Sequence, residues 1–428
     1  MSVLKQKPRM PAGCVKIEKG GKVLFLKPQE PDWIVVSPNG GIVLQLCNGK
    51  RSVEEIAKSL SIFRGEGTKE EIAGFLEQII SSTTFFAEPS APPTYSGTPL
   101  RIVQVSLTSE CNLKCVYCYA TDRQRSEFSL RRDEHFKLVE DVRSFAGRVS
   151  IVLTGGEPLA CSHTVELAEY SRGLGHEVHL LTNGTLVNND NAERIARAFD
   201  LIKISIDGSC PEIHDFHRGK GSFDRAMKGA DILSRLGANL FIAMTVTRKN
   251  IHDIGAMTSK FGPILGFAPL FIAGRAKNKQ ELTISGEEYY QALAAVDGVK
   301  PLSYLCSSLA ASKCKPIMKC AIGDGEISIA ENGDVFPCQL LHFPKFKAGN
   351  IRDQPLKSIY ETSRVLKSAS ELTVLKVSGC KTCSIRFICG GACRARAFYE
   401  EGRLDVSGSF CEYEKLAFIN GLLELHEF

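Results

Sequence analysis

Three cysteines stand within eight residues in Cys111-Asn-Leu-Lys-Cys115-Val-Tyr-Cys118, just after the extended, β-branched run from Arg101 to Leu107. Three thiolates on a loop leaving a strand can hold three irons of a 4Fe-4S cluster and leave the fourth iron open to a ligand. A zinc knuckle would want a fourth Cys or His close by, and a disulfide would want an oxidising compartment. No fourth ligand stands near. A second group follows the extended run Val149 to Thr154: in Thr154-Gly155-Gly156-Glu157-Pro158, two glycines expose backbone groups beside a carboxylate, a combination suited to an ammonium group. A third is the array Cys314-x5-Cys320-x12-Gly333-x4-Cys338, then Cys380-x2-Cys383-x5-Cys389-x3-Cys393, then Cys411. Its CxxCxxxxxCxxxC run, taken alone, also fits a zinc ribbon.

The elements that must position these residues are legible as patterns. Extended apolar runs recur at Arg101 to Leu107, Val149 to Thr154, Glu177 to Thr182, Leu201 to Ile206, Leu240 to Val246 and Gly266 to Phe271. Helical patterns such as Arg132 to Phe145, His163 to Leu174, Ala192 to Ala198 and Phe223 to Leu236 fill the gaps. Strand and helix in alternation predict an α/β fold with a parallel sheet, a partial (β/α)6 TIM barrel two repeats short of closure, whose chemistry gathers at the C-terminal strand ends. Such a barrel stays open at the side, which suits a bulky substrate such as a peptide.

Ahead of it, Val15 to Ile17, Val23 to Leu26 and Trp33 to Val36 are strand candidates, and helices are expected at Ile42 to Leu46, after Ser52-Val-Glu-Glu55 and after Thr68-Lys-Glu-Glu71, the last two opened by capping boxes. Three strands and three helices in this order predict a small winged-helix-like unit. Ala87 to Pro99, rich in Pro and Ser, is expected to be a linker. Gly333 in Glu331-Asn-Gly-Asp334 is a hairpin turn before the strand carrying Cys338. Domains are thus expected at 1–95, 96–300 and 301–428.

Sixteen cysteines without an export signal point to metal binding rather than disulfides, and no apolar run approaches the ~18 residues of a membrane span. A cytoplasmic protein is expected. The formal charge is +5 with thiols counted neutral. Two four-thiolate clusters and one three-thiolate cluster would add about −5, so the basic balance does not argue for nucleic acid.

CxxxCxxC with an aromatic, Tyr117, before the third cysteine resembles the signature of the radical S-adenosylmethionine (SAM) enzymes. The resemblance implies that Cys111, Cys115 and Cys118 hold a 4Fe-4S cluster whose open iron is chelated by SAM, and that a 5'-deoxyadenosyl radical made from SAM abstracts a substrate hydrogen. By the same resemblance, Gly155, Gly156, Glu157 and Pro158 are the GGEP motif that binds the SAM amino group. Asn183, Ser205 and Asp207 match positions that contact its ribose and carboxylate, and Arg218 resembles a carboxylate-binding Arg.

The C-terminal array resembles the SPASM extension with two auxiliary 4Fe-4S clusters. One would take Cys314, Cys320, Cys338 and Cys393, with Cys306 the alternative to Cys314; the other would take Cys380, Cys383, Cys389 and Cys411. Gln339 stands where sulfatase-maturing relatives have a basic Asp, and Gln cannot take a proton. Residues 25–57 resemble the PqqD-like element of ribosomal peptide biosynthesis, which implies a leader peptide added as a strand at Trp33 to Val36. Expected partners are therefore a precursor peptide and an electron donor such as flavodoxin or ferredoxin, with no membrane. The expected activity is maturation of a ribosomally made peptide. Sulfatase-type maturation or modification of a cofactor or haem precursor stands second. An iron–sulfur winged-helix regulator that binds DNA is the alternative of another class, and Glu54, Glu55, Glu70, Glu71 and Glu77 on its helices argue against it.

Overall fold

The computed structural model describes residues 3–64, 68–87, 93–122, 129–297, 299 and 315–425. Its centre is a run of six parallel strands, β4 (Ile102–Ser106), β5 (Ser150–Thr154), β6 (Glu177–Thr182), β7 (Leu201–Ser205), β8 (Leu240–Val246) and β9 (Leu265–Pro269), each hydrogen-bonded to the next. Their alternation separates two faces. Val103, Val105, Ile151, Leu153, Val178, Leu180, Ile202 and Ile204 are buried in the main core under the helices, while Gln104, Lys203 and Ser205 lie at the intervening positions. This is a parallel α/β sheet consistent with a partial barrel. β9 starts one residue before its apolar pattern and ends at Pro269, after which Leu270 joins a buried satellite cluster with Ala276 and Leu282.

The C-terminal domain extends this sheet, which sequence spacing did not reveal. β10 (Glu326–Ile329) runs parallel to β4, pairing Ile327 with Val103 and Ile329 with Val105. β11 (Asp334–Phe336) folds back antiparallel through the expected turn, where Gly333 takes φ 86°, and β12 (Gly349–Asn350) completes the nine strands.

The N-terminal unit is a three-stranded antiparallel sheet, β1 (Val15–Lys19), β2 (Lys22–Lys27) and β3 (Asp32–Val36), followed by helices Pro38–Gln45, Val53–Arg64 and Thr68–Ser82. The first helix begins four residues before the sequence pattern. Pro38 occupies its first turn and the Ser37 hydroxyl accepts from the Gly40 amide at 3.2 Å, so the helix takes in Asn39-Gly40-Gly41 as well. The Ser52–Glu55 capping box forms as expected, with Ser52 N to Glu55 Oε2 at 2.7 Å and Glu55 N to Ser52 Oγ at 3.2 Å. Val23, Phe25, Ile34 and Val36 pack on the helices; Leu24, Leu26 and Val35 point the other way and are equally buried.

The expected linker is partly pinned down. Residues 88–92 lie outside the described residues, but Tyr95 packs into a buried cluster with Met318, Val374, Cys380 and Phe387. Its hydroxyl donates to Asp324, which also takes a hydrogen bond from Lys319 Nζ at 2.5 Å. Among the described residues no helix is long and apolar enough to cross a membrane.

Candidate active site

The C-terminal ends of the parallel strands converge on the cysteine loop. Leu107 N donates to Thr154 O at 2.9 Å, Gly156 N to Thr108 O at 2.7 Å and Glu157 N to Glu110 O at 2.8 Å, so the root of the loop runs against the stretch after β5. This approach is why both glycines are needed. A Cβ on Gly155 would sit 2.4 Å from Thr108 O, and one on Gly156 would sit 2.1 Å from Glu110 O. The expectation that both glycines expose backbone groups is therefore corrected for Gly156, whose amide is committed to the cysteine loop.

Glu157 is 1% exposed. Its Oε1 accepts from Thr182 Oγ1 at 2.6 Å and Leu159 N at 3.1 Å, and its Oε2 from Asn183 N at 2.8 Å. A carboxylate offers about four acceptor positions, so one remains. Burial lifts its pKa, and these hydrogen bonds work against the rise. Asn183 in turn donates to Asn112 Oδ1 at 2.9 Å, and Asn112 donates to Thr185 Oγ1 at 2.8 Å, tying the end of β6 to the cysteine loop. Pro158 is buried and opens a short 3-10 turn. Ser205 ends β7 opposite Ala243 and is half-buried.

Beneath the loop lies a buried ion pair. Arg218 Nε donates to Asp207 Oδ2 at 2.5 Å and Arg218 Nη2 to the Tyr117 hydroxyl at 2.7 Å, while that hydroxyl donates to Asp207. Asp207 Oδ1 accepts from Thr245 N at 2.9 Å. Asp207 is fully buried and Arg218 is 8% exposed. Burial is the largest influence on Asp207 and would raise its pKa, but the charges of Arg218 and His217 and the hydrogen bonds from Arg218 and Tyr117 together outweigh it and hold the carboxylate ionised. The structure thus brings together Tyr117, Asp207 and Arg218, and gives Arg218 a carboxylate partner within the chain.

A further clamp went unnoticed in the sequence. After β9, Arg275 Nη1 donates to Cys115 O at 3.0 Å and Arg275 N to Cys118 O at 3.1 Å. Gly274, at φ 56°, passes so close that a Cβ would meet Cys118 O at 2.1 Å. Its only signal was a Gly-Arg pair just past a strand end, which looks like an ordinary turn.

The thiols fall into three sets. Cys111 is exposed and Cys115 and Cys118 are half-buried; burial pushes the Cys115 thiol up to about 11 and lifts Cys111, and the three repel one another as anions. In the C-terminal domain Cys338 feels Cys393 and Cys320, whereas Cys411 feels Cys380 and Cys383, and Cys389 feels Cys380. Cys314 and Cys306 lie outside the described residues. All fourteen described cysteines are free thiols. Burial and mutual repulsion keep such thiols protonated, and a cationic metal core reverses that sign. Among the described residues no three His, Cys, Asp or Glu side chains are gathered as a site for a single ion.

Local backbone supports sulfur ligation at the second C-terminal set. Gly390 and Gly391 take φ 69° and 87°, and Ala392 at φ 57° is the one non-glycine with positive φ among the described residues. The backbone at Gly391 and Ala392 favours the Cys389 thiolate, while burial, the larger influence, pushes that thiol up to about 12. Cys111, Cys115 and Cys118 are the groups that would hold a 4Fe-4S core at the mouth, and such a core would supply an iron with an open position and one-electron chemistry toward SAM. The chain's own groups hold that loop in place from β5, β6, β7 and β9.

Comparison with known proteins accords with this geometry. Residues 105–260 match the radical SAM superfamily and residues 320–384 match SPASM, an iron–sulfur cluster-binding domain. An AdoMet-dependent heme synthase of Oleidesulfovibrio alaskensis is 30% identical over 353 residues, covering 74% of this chain and 89% of its own. In fold, the chain is similar to anSMEcpe with bound AdoMet and Cp18Cys peptide, with a TM-score of 0.64, 23% identity and coverage of 76% of this chain and 98% of that one. It is also similar to Streptococcus suis SuiB bound to precursor peptide SuiA, with a TM-score of 0.55, 15% identity and coverage of 95% and 100%. The chain belongs to the radical SAM superfamily, as an iron–sulfur enzyme with a SPASM domain that cleaves SAM reductively.

Proposed function

We propose that the enzyme matures a ribosomally made precursor peptide. Cys111, Cys115 and Cys118 hold the SAM-binding cluster. Glu157 offers its remaining acceptor position to the SAM ammonium, and Asn183, Ser205, Asp207 and Arg218 shape the surrounding wall. Cys320, Cys338 and Cys393 with Cys314 hold one auxiliary cluster, and Cys380, Cys383, Cys389 and Cys411 the other. Residues 1–95 act as a PqqD-like, winged-helix-like recognition domain, 96–300 as the catalytic barrel and 301–428 as the auxiliary-cluster domain. A leader peptide adds as a strand at β3, and a flavodoxin or ferredoxin supplies electrons.

The observation that carries this reading is the position of β3. It is an outer strand of the N-terminal sheet, and that sheet is packed on the C-terminal domain. A strand added there gains main-chain hydrogen bonds and a fixed place relative to the barrel. The likeness to SuiB, which extends over 95% of this chain against 76% for anSMEcpe, supports a counterpart for the additional length.

A second reading, modification of an iron porphyrin, is favoured by the 30% identity to a heme synthase. One experiment separates the two. The reconstituted enzyme is incubated anaerobically with SAM, a reductant and either the short peptides encoded beside its gene or Fe-coproporphyrin III. A mass change on a peptide, with 5'-deoxyadenosine formed alongside, is expected. Turnover of the porphyrin with every peptide unchanged would overturn the peptide reading.

A further inference from the structure

The back face of the N-terminal sheet is a second interface, and it lands on one of the cysteine sets. Leu24, Leu26 and Val35 are at most 1% exposed and form a buried cluster with Ile388, Ile419 and Leu422. Cys383, Cys389 and Trp33 border the same cluster. At its rim Lys19 Nζ donates to Asn420 Oδ1 at 2.8 Å and Lys22 Nζ to Leu423 O at 3.1 Å.

Both C-terminal elements that meet the sheet are tethered by thiols of this set. Ile388 lies between Cys383 and Cys389, and the helix carrying Ile419 and Leu422 begins at Cys411 (Cys411–Leu423). A core bound by Cys380, Cys383, Cys389 and Cys411 would fix both elements, and fixing them builds the platform on which the sheet sits. The reverse also holds, because lifting the sheet bares the apolar ground beside two of the ligands.

We propose that the N-terminal unit is the cover of the second auxiliary cluster: its seating excludes solvent from that cluster, and the cluster's assembly in turn seats the unit. The inference concerns the placement of the unit and holds for either substrate reading. It rests on assigning those four cysteines to one cluster.

The chain carries its own probe. Trp33 on β3 is the only tryptophan in the sequence. Iron–sulfur cores absorb where indole emits, so Trp33 should be quenched by a core across the shared apolar cluster. The full-length, anaerobically reconstituted protein is compared with Cys383→Ala/Cys389→Ala and with Leu26→Ala and Lys22→Glu, the last of which changes a contact at the rim.

Trp33 emission is expected to be several-fold brighter in the double cysteine variant, which loses about four irons. In Leu26→Ala a chelator should strip those irons about tenfold faster, the factor expected when local opening becomes about 1.4 kcal/mol easier; Lys22→Glu should act in the same direction, more weakly. Retention of all iron in the double variant overturns the ligand set and the proposal with it. Loss of the irons with unchanged emission, or chelation at the parent rate in both packing variants, overturns the cover alone.

Discussion

At the barrel mouth three thiols lie within eight residues on one loop and Cys111 is exposed, whereas the C-terminal thiols are drawn from positions 320 to 411 and Cys380 is buried. The mouth loop has little structure of its own and is clamped from outside, by Gly156 and Glu157 after β5, Asn183 after β6 and Arg275 after β9. The C-terminal sets reverse this relation, since their thiols join segments that are far apart in the chain. An accessible, externally held site suits a cluster that must admit SAM. A buried, interleaved site makes the cluster part of the domain's own cohesion.

Three measurements test that contrast. The largest effect should come from replacing Cys111, Cys115 and Cys118 together by Ala. 5'-Deoxyadenosine production should fall to background while about eight irons stay bound, read by chromatography and iron analysis. Undiminished production would place the chemistry elsewhere.

Next in size is Arg218→Leu, which leaves Asp207 buried without its cation. The expected loss is about 3 to 5 kcal/mol, seen as a lower urea midpoint. Asp207→Asn in the same chain should recover much of it, because the stranded charge is then gone. If the second substitution deepens the loss, the pair does not act as a charge pair.

The third concerns the far end of the barrel. Glu326 opens β10, takes a 2.6 Å hydrogen bond from Gln104 Nε2 and adds to the negative field at Cys320 and Cys338. Burial lifts its pKa from 4.5 to about 7. The protonated form therefore suits the fold, and its stabilisation is complete below the unfolded pKa and lost as pH rises through about 7. That loss is at most about 3 kcal/mol. Glu326→Gln should flatten the fall of melting temperature between pH 4.5 and 7, and an unchanged slope would show that the carboxyl does not carry it.

The six-strand repeat, the capping box at Ser52 and the turn at Gly333 were legible because each is written in adjacent residues. The cysteine loop was legible for the same reason. Two kinds of feature were not. Asn39-Gly40-Gly41 stood outside the expected helix because glycine disfavours one, and the Ser37 cap and close packing under Phe75 make it helical. Contacts between remote segments leave no periodic trace: Arg275 on the Cys115 carbonyl, Tyr95 beside Cys380, and Leu24 and Leu26 facing the C-terminal helix. Strand alternation in β2 showed that both its faces are apolar, but not what would cover the second.

The pairing of β10 with β4 bears on how the chain is made. The side chains of Gln104 and Glu326 meet across 222 residues, so the first barrel strand leaves the ribosome long before its outer neighbour exists. Until then one row of its amides and carbonyls is open to any other extended segment. Expression that stalls or stops short of residue 329 should therefore yield aggregates rather than a free-standing barrel.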